Sequence, residues 1–312
     1  MLKYILKRIL MIIPMVLVII FIVFCLVSFN DIDPGRARLG PEASAEAVYE
    51  LNDSYGLYDP LPVRYVKYVF KLFRGDFGTS YYTDRPVIQD IISRWPNTII
   101  LTLMSMGIAL IIGIPLGVLS AIKQYSLVDR ISSTAAMLLA SIPTFCMATV
   151  FMLIFSYRLK WVNASFTNDL KGWILPAITL GLSYSAQFLR FTRSTMLDTI
   201  RQDYIRTARA KGAAEIIVIW KHAFRNALLP IITITGTTLG ILLGGAVVME
   251  SVFVIPGLGT LIVDALNRND VPIIMGTITV LAFMFLIIML VVDILYAVID
   301  PQIRAKYAPK MK

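Results

Sequence analysis

Six long runs of apolar residues dominate the sequence, and shorter polar stretches separate each run from the next. An α-helix rises about 1.5 Å per residue, so about 20 apolar residues cross a hydrocarbon core of about 30 Å. The pattern therefore predicts an all-α integral membrane protein with six transmembrane helices. The predicted spans are 9–29, 97–122, 131–157, 174–193, 228–249 and 273–299.

Composition supports a membrane protein, because 57% of the residues are hydrophobic and only 16% are charged. The net charge of +9 raises the question of nucleic-acid binding. The basic residues lie mainly at the ends of apolar runs, where they fix orientation in a bilayer. We therefore expect contacts with membrane lipid and no nucleic-acid partner. Cys25 and Cys146 lie far apart inside apolar runs, which argues against a disulfide framework or a zinc site.

The distribution of Lys and Arg over the short connections predicts the orientation of the spans. With a cytoplasmic N-terminus, the inside segments carry 17 basic residues, and the short outside loops near 158–173 and 250–272 carry four. Both termini are therefore predicted to be cytoplasmic. The connection 30–96 is too long for this rule and becomes one long extracytoplasmic segment after the first helix.

The same pattern predicts how the chain is divided. No small-residue cleavage site follows the first apolar run, so we expect that run to remain as an anchor. The predicted parts are an anchor helix at 1–30, an extracytoplasmic segment at 31–96, a transmembrane core at 97–300 and a cytoplasmic tail at 301–312. Inside the extracytoplasmic segment, helical spacing predicts an amphipathic helix on the membrane surface or against the bundle. Its apolar positions are Val66, Val69, Phe70 and Phe73.

Three charged residues lie within or near predicted spans. Arg190 and Arg193 are at the end of the fourth span, and Asp293 is inside the last. Ionisable groups at such depths are costly unless they are paired or hydrated. We therefore predict a structural ion pair between Arg190 or Arg193 and Asp293.

A polar island at 201–226 carries six basic and two acidic residues between two apolar runs. Its apolar positions form two helical stripes, first Ile205, Ala208 and Gly212, then Ile216, Ile219, Trp220 and Ala223. Two short helices are predicted to meet near Gly212, where glycine can take a left-handed backbone. Small Ala208 and Ala210 would let a partner surface approach closely. The alternative is a pair of interfacial helices held by anionic lipid.

Motifs for catalysis are missing from the sequence. The single histidine, His222, has no H-E-x-x-H neighbourhood and no nearby G-x-S-x-G, so a membrane-embedded enzyme is disfavoured. The phosphate-binding pattern G-x-x-x-x-G-K-[ST] is also missing, so any ATP must be bound by another chain. An ion-coupled secondary transporter would need acidic residues near the midplane and an internal repeat, and Asp293 is the one candidate acid.

The stretch "DYIRTARAKGAAEIIVIWKHAFRNALLP" resembles the cytoplasmic loop of permease subunits of binding-protein-dependent ABC importers of the dipeptide, oligopeptide and nickel group. In the general pattern E-A-A-x-x-x-G, Ala208 and Gly212 match the second Ala and the Gly. Arg206 and Thr207 replace the first two residues, as is typical of the peptide group. Further similar stretches are "RGDFGTSYYTDRPV", "SIPTF", "VFVIPGLGTLIVDALNRNDVPIIMG" and "VDILYAVIDPQIR".

The resemblance implies a type I ABC importer permease fold in a bacterial cytoplasmic (inner) membrane. The chain would be the first of two paired permeases, forming half of a pathway for dipeptides or oligopeptides. Its partners would be a second homologous permease, two ABC ATPase subunits and an extracytoplasmic solute-binding protein. No catalytic, cofactor or metal site is expected in this chain, since the ATPase subunits bind ATP and Mg. Nickel chelates or other small solutes are the alternative substrates.

Two sets of site residues follow from the resemblance. The coupling loop, 194–227, would contact an ATPase through Tyr204, Arg206, Ala208, Arg209, Ala210, Lys211, Gly212, Ala213 and Glu215. Hydroxyl side chains on the spans are candidates for lining the pathway, namely Thr102, Ser105, Ser141, Thr144, Thr233 and Thr235. The alternative for each hydroxyl is a hydrogen bond to its own helix backbone.

Overall fold

The computed structural model describes residues 2–29 and 33–299, and the regular elements in these ranges are helical, which confirms the predicted all-α class. The α-helices are α1 (Leu2–Ser28), α2 (Pro34–Leu39), α3 (Ala45–Ser54), α4 (Leu61–Phe73), α5 (Val87–Ile122), α6 (Leu127–Ser141), α7 (Thr144–Phe151), α8 (Leu170–Ile200), α9 (Asp203–Ala210), α10 (Glu215–Ile217), α11 (Arg225–Phe253), α12 (Leu258–Arg268) and α13 (Val271–Ile299). Two π-helical segments follow α7 and α10, at Met152–Arg158 and Val218–Phe224. The predicted tail at 301–312 lies outside the described residues.

Four of the described helices are long and apolar enough to cross a membrane. They are Arg8–Ser28, Val87–Ile122, Glu215–Phe253 and Val271–Leu295. The third predicted span corresponds to two helical stretches, α6 and Thr144–Arg158, and the chain bends by 100° between them. Pro143 explains the break, since the residue before a proline is pushed towards extended backbone, and Ile142 has φ −90° and ψ 123°. Helix α8 covers the fourth predicted span, and the total of six spans stays a prediction.

The described chain forms two compact units. The core unit contains Ile99–Ile255 and the last helix from Ile288 onward, and the N-terminal unit contains Leu2–Thr98 and Pro256–Ile287.

In the core unit, α8 is the central helix and packs against α6, α7 and α11. Glycines on α5 bring that helix onto the α8 backbone as well. A Cβ atom at Gly113 would lie 2.6 Å from the Cβ of Phe188, and one at Gly117 would lie 2.7 Å from the carbonyl oxygen of Leu189. Such contacts are possible only with glycine, which is how helices pack closely without relying on large side chains.

In the N-terminal unit, buried Asp270 accepts hydrogen bonds from the segment that follows α4. Its carboxylate accepts hydrogen bonds from the Ser80 hydroxyl and, at 3.1 Å, from the Tyr81 backbone N–H. Arg38 donates two hydrogen bonds to Asp84, of 3.0 and 2.6 Å. The Asp84 carboxylate therefore raises the pKa of the Arg38 guanidinium above its ordinary value. These contacts give a defined shape to a stretch that contains little regular secondary structure.

The predicted amphipathic helix is confirmed as α4, and the face that packs on the chain is a different stripe from the predicted apolar positions. The side chains that pack on α1 and Met275 are Leu61, Tyr65, Tyr68 and Leu72. Val66, Phe70 and Phe73 are exposed instead. Two apolar stripes run along this helix, and spacing alone does not show which of them meets the rest of the chain.

Candidate coupling site

The polar island folds as α9, a tight turn at Gly212 and α10. Gly212 has φ +81°, which confirms the predicted left-handed backbone. The Ala213 N–H donates to the Ala208 carbonyl at 3.3 Å, and the Gly212 N–H donates to the Arg209 carbonyl at 2.9 Å. This pair of bonds is the Schellman arrangement that ends a helix at glycine. The chain therefore reverses direction over a few residues and presents the end of α9 at the surface.

An exposed ion pair between Arg209 of α9 and Glu215 of α10 joins the two sides of the turn. Arg209 donates from Nε and Nη2 to the two carboxylate oxygens of Glu215, at 3.0 and 2.6 Å. These hydrogen bonds raise the pKa of the Arg209 guanidinium above its ordinary value. The two-point geometry fixes the orientation of both side chains, although the exposure of the pair limits its contribution to stability. The ion pair therefore holds α9 and α10 in one arrangement.

Buried apolar side chains attach the turn to the helices of the core unit. Ile205 of α9 is fully buried, and its cluster includes Val118 of α5, Met196 of α8 and Ala227 of α11. Because protein interiors are close-packed, a displacement of α9 has to move these neighbours too. The turn is therefore a rigid extension of three long helices rather than a free loop.

The predicted contact residues fall into two groups. Most are exposed, namely Tyr204, Arg206, Arg209, Ala210, Lys211, Gly212 and Glu215. Ala208 and Ala213 are half-buried and pack inward against the cluster around Ile205. Ala208 therefore contributes its methyl group to this cluster, and the close approach of a partner at this position stays a prediction. Ala210 remains the small residue on the outer surface.

The second predicted stripe was wrong in part. Val218, Ile219 and Ala223 are buried, whereas Ile216 and Trp220 are 63% and 49% exposed. The cause is the π-helix at Val218–Phe224, whose i to i+5 hydrogen bonds lengthen the repeat beyond 3.6 residues. Trp220 and Ile216 therefore lie apart from buried Ile219 and Ala223, although an α-helical period places all four on one face.

The charged residues near the spans pair differently from the prediction. Arg193 of α8 donates from Nε and Nη2 to the carboxylate of Asp129 on α6, at 2.7 and 2.9 Å. Asp129 also accepts the Ser120 hydroxyl of α5 and, at 2.9 Å, the Tyr125 N–H. The predicted partner Asp293 was therefore wrong for Arg193, and Arg190 is exposed. Asp129 lies in the short polar connection between two predicted spans, where a charged residue is ordinary, so no sequence signal marks it as the partner of Arg193.

Comparison with known proteins decides the family. The sequence matches the family described as "Binding-protein-dependent transport system inner membrane component" over residues 113–305. The N-terminal part of the same membrane component matches over residues 1–102. The chain belongs to this family. It is the permease subunit of a binding-protein-dependent ABC importer.

Close relatives span the whole permease. The "Glutathione transport system permease protein GsiC" of Salmonella paratyphi A (strain ATCC 9150 / SARB42) is 41% identical over 98% of this chain and 100% of its own length. The protein of the same name from Escherichia coli (strain K12) is 40% identical over the same shares. A chain from an inward-facing structure of the MetNI methionine ABC transporter has a TM-score of 0.58 and 19% identity, over 68% of the permease and 97% of that chain. The fold is therefore that of a type I ABC importer permease in the inner membrane.

Two of the six predicted pathway residues are enclosed by the permease. Thr102 and Ser105 of α5 are 2% and 0% exposed, and neither hydroxyl has a hydrogen-bond partner among the described residues. A buried side chain offers no surface to a passing solute. In this arrangement of the helices Thr102 and Ser105 are therefore out of reach of a solute, and the lining of the pathway stays a prediction.

The other four hydroxyls are partly or fully exposed, and three of them bond to their own helix. Ser141 donates to the Met137 carbonyl at 2.8 Å, Thr233 to that of Leu229 at 3.1 Å, and Thr235 to that of Ile231 at 2.7 Å. Thr144 is half-buried. A hydroxyl bonded in this way can still present its oxygen to solvent, so these four residues of the permease remain candidates for the pathway.

Proposed function

We propose that an ATPase subunit docks on the surface formed by Tyr204, Arg206, Arg209, Ala210, Lys211, Gly212 and Glu215, called the coupling surface below. The observation that carries the proposal is the attachment of this exposed, basic turn to α5, α8 and α11 through fully buried Ile205. A site that transmits force needs an accessible outer face and a rigid connection to the moving helices. The coupling surface has both.

The mechanism follows from this rigidity. Closure of the ATPase pair would displace α9, and the buried cluster would pass the displacement to the three long helices. Helices packed in this way move as bodies between discrete arrangements rather than deforming continuously. The Schellman turn limits how far the turn can deform under this movement, and the exposed Arg209–Glu215 pair adds a small contribution.

The assembly needed for this mechanism contains partners of three kinds. A second, homologous permease would complete the pathway, two ATPase subunits would bind ATP and Mg, and a solute-binding protein would deliver the substrate from outside. This chain would make no catalytic contribution, since its role is to convert ATPase closure into opening of the pathway. The family description supports the binding-protein partner directly.

The substrate class is proposed from the close relatives. Both relatives described above carry the name of a glutathione transport permease, and glutathione is a peptide. We infer that the imported solutes are short peptides, including modified tripeptides of the glutathione kind. A nickel chelate is the second candidate, and the test below includes it.

Ligand-stimulated ATP hydrolysis by the complete complex tests this substrate class. The complex would be reconstituted in lipid vesicles with its solute-binding protein, and ATP hydrolysis would be measured with dipeptides, glutathione or a nickel chelate. We expect a peptide to raise the rate several-fold above that with the unloaded binding protein. Stimulation by the nickel chelate alone would contradict the peptide assignment while leaving the importer mechanism intact.

A further inference from the structure

Helix α4 has a second apolar stripe that nothing in the described chain covers. Val63, Val66, Phe70 and Phe73 recur at spacings of three and four, and they are between 42% and 70% exposed. The opposite face of the same helix is the one packed on α1. Four large apolar side chains in one row on a 13-residue helix form the kind of surface that meets a partner or a membrane.

A basic edge lies beside this stripe. Helix α4 has no acidic residue and carries Arg64, Lys67 and Lys71, and Arg74 follows it directly. Lys67 is neutralised by Asp59 at 2.6 Å. The guanidinium of Arg74 lies 4.3 Å from the centre of the Phe70 ring, so it is held next to the apolar stripe. An apolar row with an adjacent cationic edge matches the acyl chains and phosphate groups of phospholipids.

The attachment to α1 sets the depth of α4. The Tyr65 hydroxyl donates to the Leu17 carbonyl of α1 at 2.9 Å, and the Tyr65 ring packs edge-on against Phe21. Leu17 precedes Ser28, the end of α1, by 11 residues, or about 16 Å of helix. That is about half of a hydrocarbon core of about 30 Å. Part of α4 therefore contacts a spanning helix well below the membrane surface.

The spanning helix to which α4 is attached also exposes apolar side chains of its own. On α1, the apolar side chains of Val18, Ile22 and Leu26 are 57%, 52% and 69% exposed, as expected for a helix that meets acyl chains. We propose that Val63, Val66, Phe70 and Phe73 are embedded in the membrane leaflet at the Ser28 end of α1, with Lys71 and Arg74 binding the phosphates of anionic phospholipids. This leaflet is the outer one under the predicted topology. Helix α4 thereby fixes the N-terminal unit to the bilayer.

Quenching by spin-labelled lipid tests the embedding. The complete complex would carry Cys25→Ser and Cys146→Ser, with a fluorophore on Phe70→Cys or, separately, on Val66→Cys. Leu26→Cys on α1 is the control in lipid, because it is 69% exposed and lies close to the Ser28 end, and exposed Tyr49→Cys on α3 is the control in water. We expect lipids labelled near the top of the acyl chain to quench positions 66 and 70 comparably to position 26. Quenching as weak as at position 49 would overturn the proposal, whether water or a protein partner covers the stripe.

The contacts of Lys71 and Arg74 with lipid are tested in the same samples by comparing quenching with two kinds of lipid. We expect spin-labelled phosphatidylglycerol to quench position 66 more than spin-labelled phosphatidylcholine, by about five-fold for each basic contact. The double variant Lys71→Gln with Arg74→Gln should bring this ratio close to one, whereas Arg85→Gln, an exposed cation away from α4, should not. A ratio of one before any substitution would overturn the contacts of Lys71 and Arg74 with anionic phospholipid. Failure of the peptide or ATPase experiments would leave both results unaffected.

Discussion

Replacement of Gly212 by tryptophan is expected to reduce ATP-driven uptake by at least about ten-fold while the permease stays in the membrane. A Cβ at Gly212 has no neighbour within 4 Å in the chain, so a large side chain projects outward from the coupling surface. It would occupy the space that a docked ATPase needs, and a loss of about 1.4 kcal/mol of docking energy already gives a ten-fold effect. Uptake and membrane abundance, measured on the same vesicles, check this result.

Two controls separate the bulk of the side chain from backbone strain. Gly212→Ala carries the left-handed strain, about 1–2 kcal/mol, with little bulk, so it should keep much of the uptake. Gly75 follows α4 with φ +78°, no neighbour within 4 Å and the same Schellman pair of hydrogen bonds, so Gly75→Trp puts the same bulk on the same kind of turn in the N-terminal unit. We expect near-normal uptake from Gly75→Trp. Full uptake by Gly212→Trp would contradict the coupling surface.

Breaking the Arg193–Asp129 pair is expected to have the largest effect on stability. Asp129 is 5% exposed and Arg193 is 27% exposed, and their bidentate contact joins α6 to α8. Removing Arg193 leaves the largely buried Asp129 carboxylate with hydrogen bonds but no opposite charge, which costs about 3 kcal/mol. Arg193→Ala should therefore lower the free energy of unfolding by about that amount and reduce the level of folded permease. Thermal unfolding of the purified complex measures the change.

Arg190→Ala is the matched control, because Arg190 lies on the same helix one turn earlier and is exposed. It should change stability by less than about 0.5 kcal/mol. Asp129→Asn should fall between the two variants, because the amide keeps one acceptor oxygen and loses the charge. Equal stability of the Arg190 and Arg193 variants would contradict a structural role for the pair.

Local features of the coupling surface could be predicted from the sequence. A single glycine between two polar helical patterns predicts a left-handed backbone at the turn, because glycine adopts positive φ without steric cost. Gly212 has φ +81°. The break at Pro143 follows a local rule as well, because a proline inside an apolar run predicts a kinked helix. Such features depend on backbone preferences of a few residues, so no knowledge of distant contacts is needed.

Features that depend on distant contacts could not be predicted. Asp129 and Arg193 are 64 residues apart, and each could pair with any opposite charge near the same membrane face. The π-helix at Val218–Phe224 shifts the buried positions away from Trp220, and no local signal marks where the period changes. Helix α4 shows the same limit, because both of its apolar stripes are equally apolar and only the position of α1 selects one.

Site-directed cross-linking from the coupling surface tests the central claim most directly. In a background with Cys25→Ser and Cys146→Ser, a cysteine would replace Arg206 or Ala210, which are exposed on α9, or Lys171, which is exposed at the start of α8. A bifunctional thiol reagent of short reach would then be added to membranes containing the complete complex. We predict cross-links to the ATPase subunit from positions 206 and 210 and none from position 171. Cross-links absent from 206 and 210, or equally strong from 171, would contradict the coupling surface.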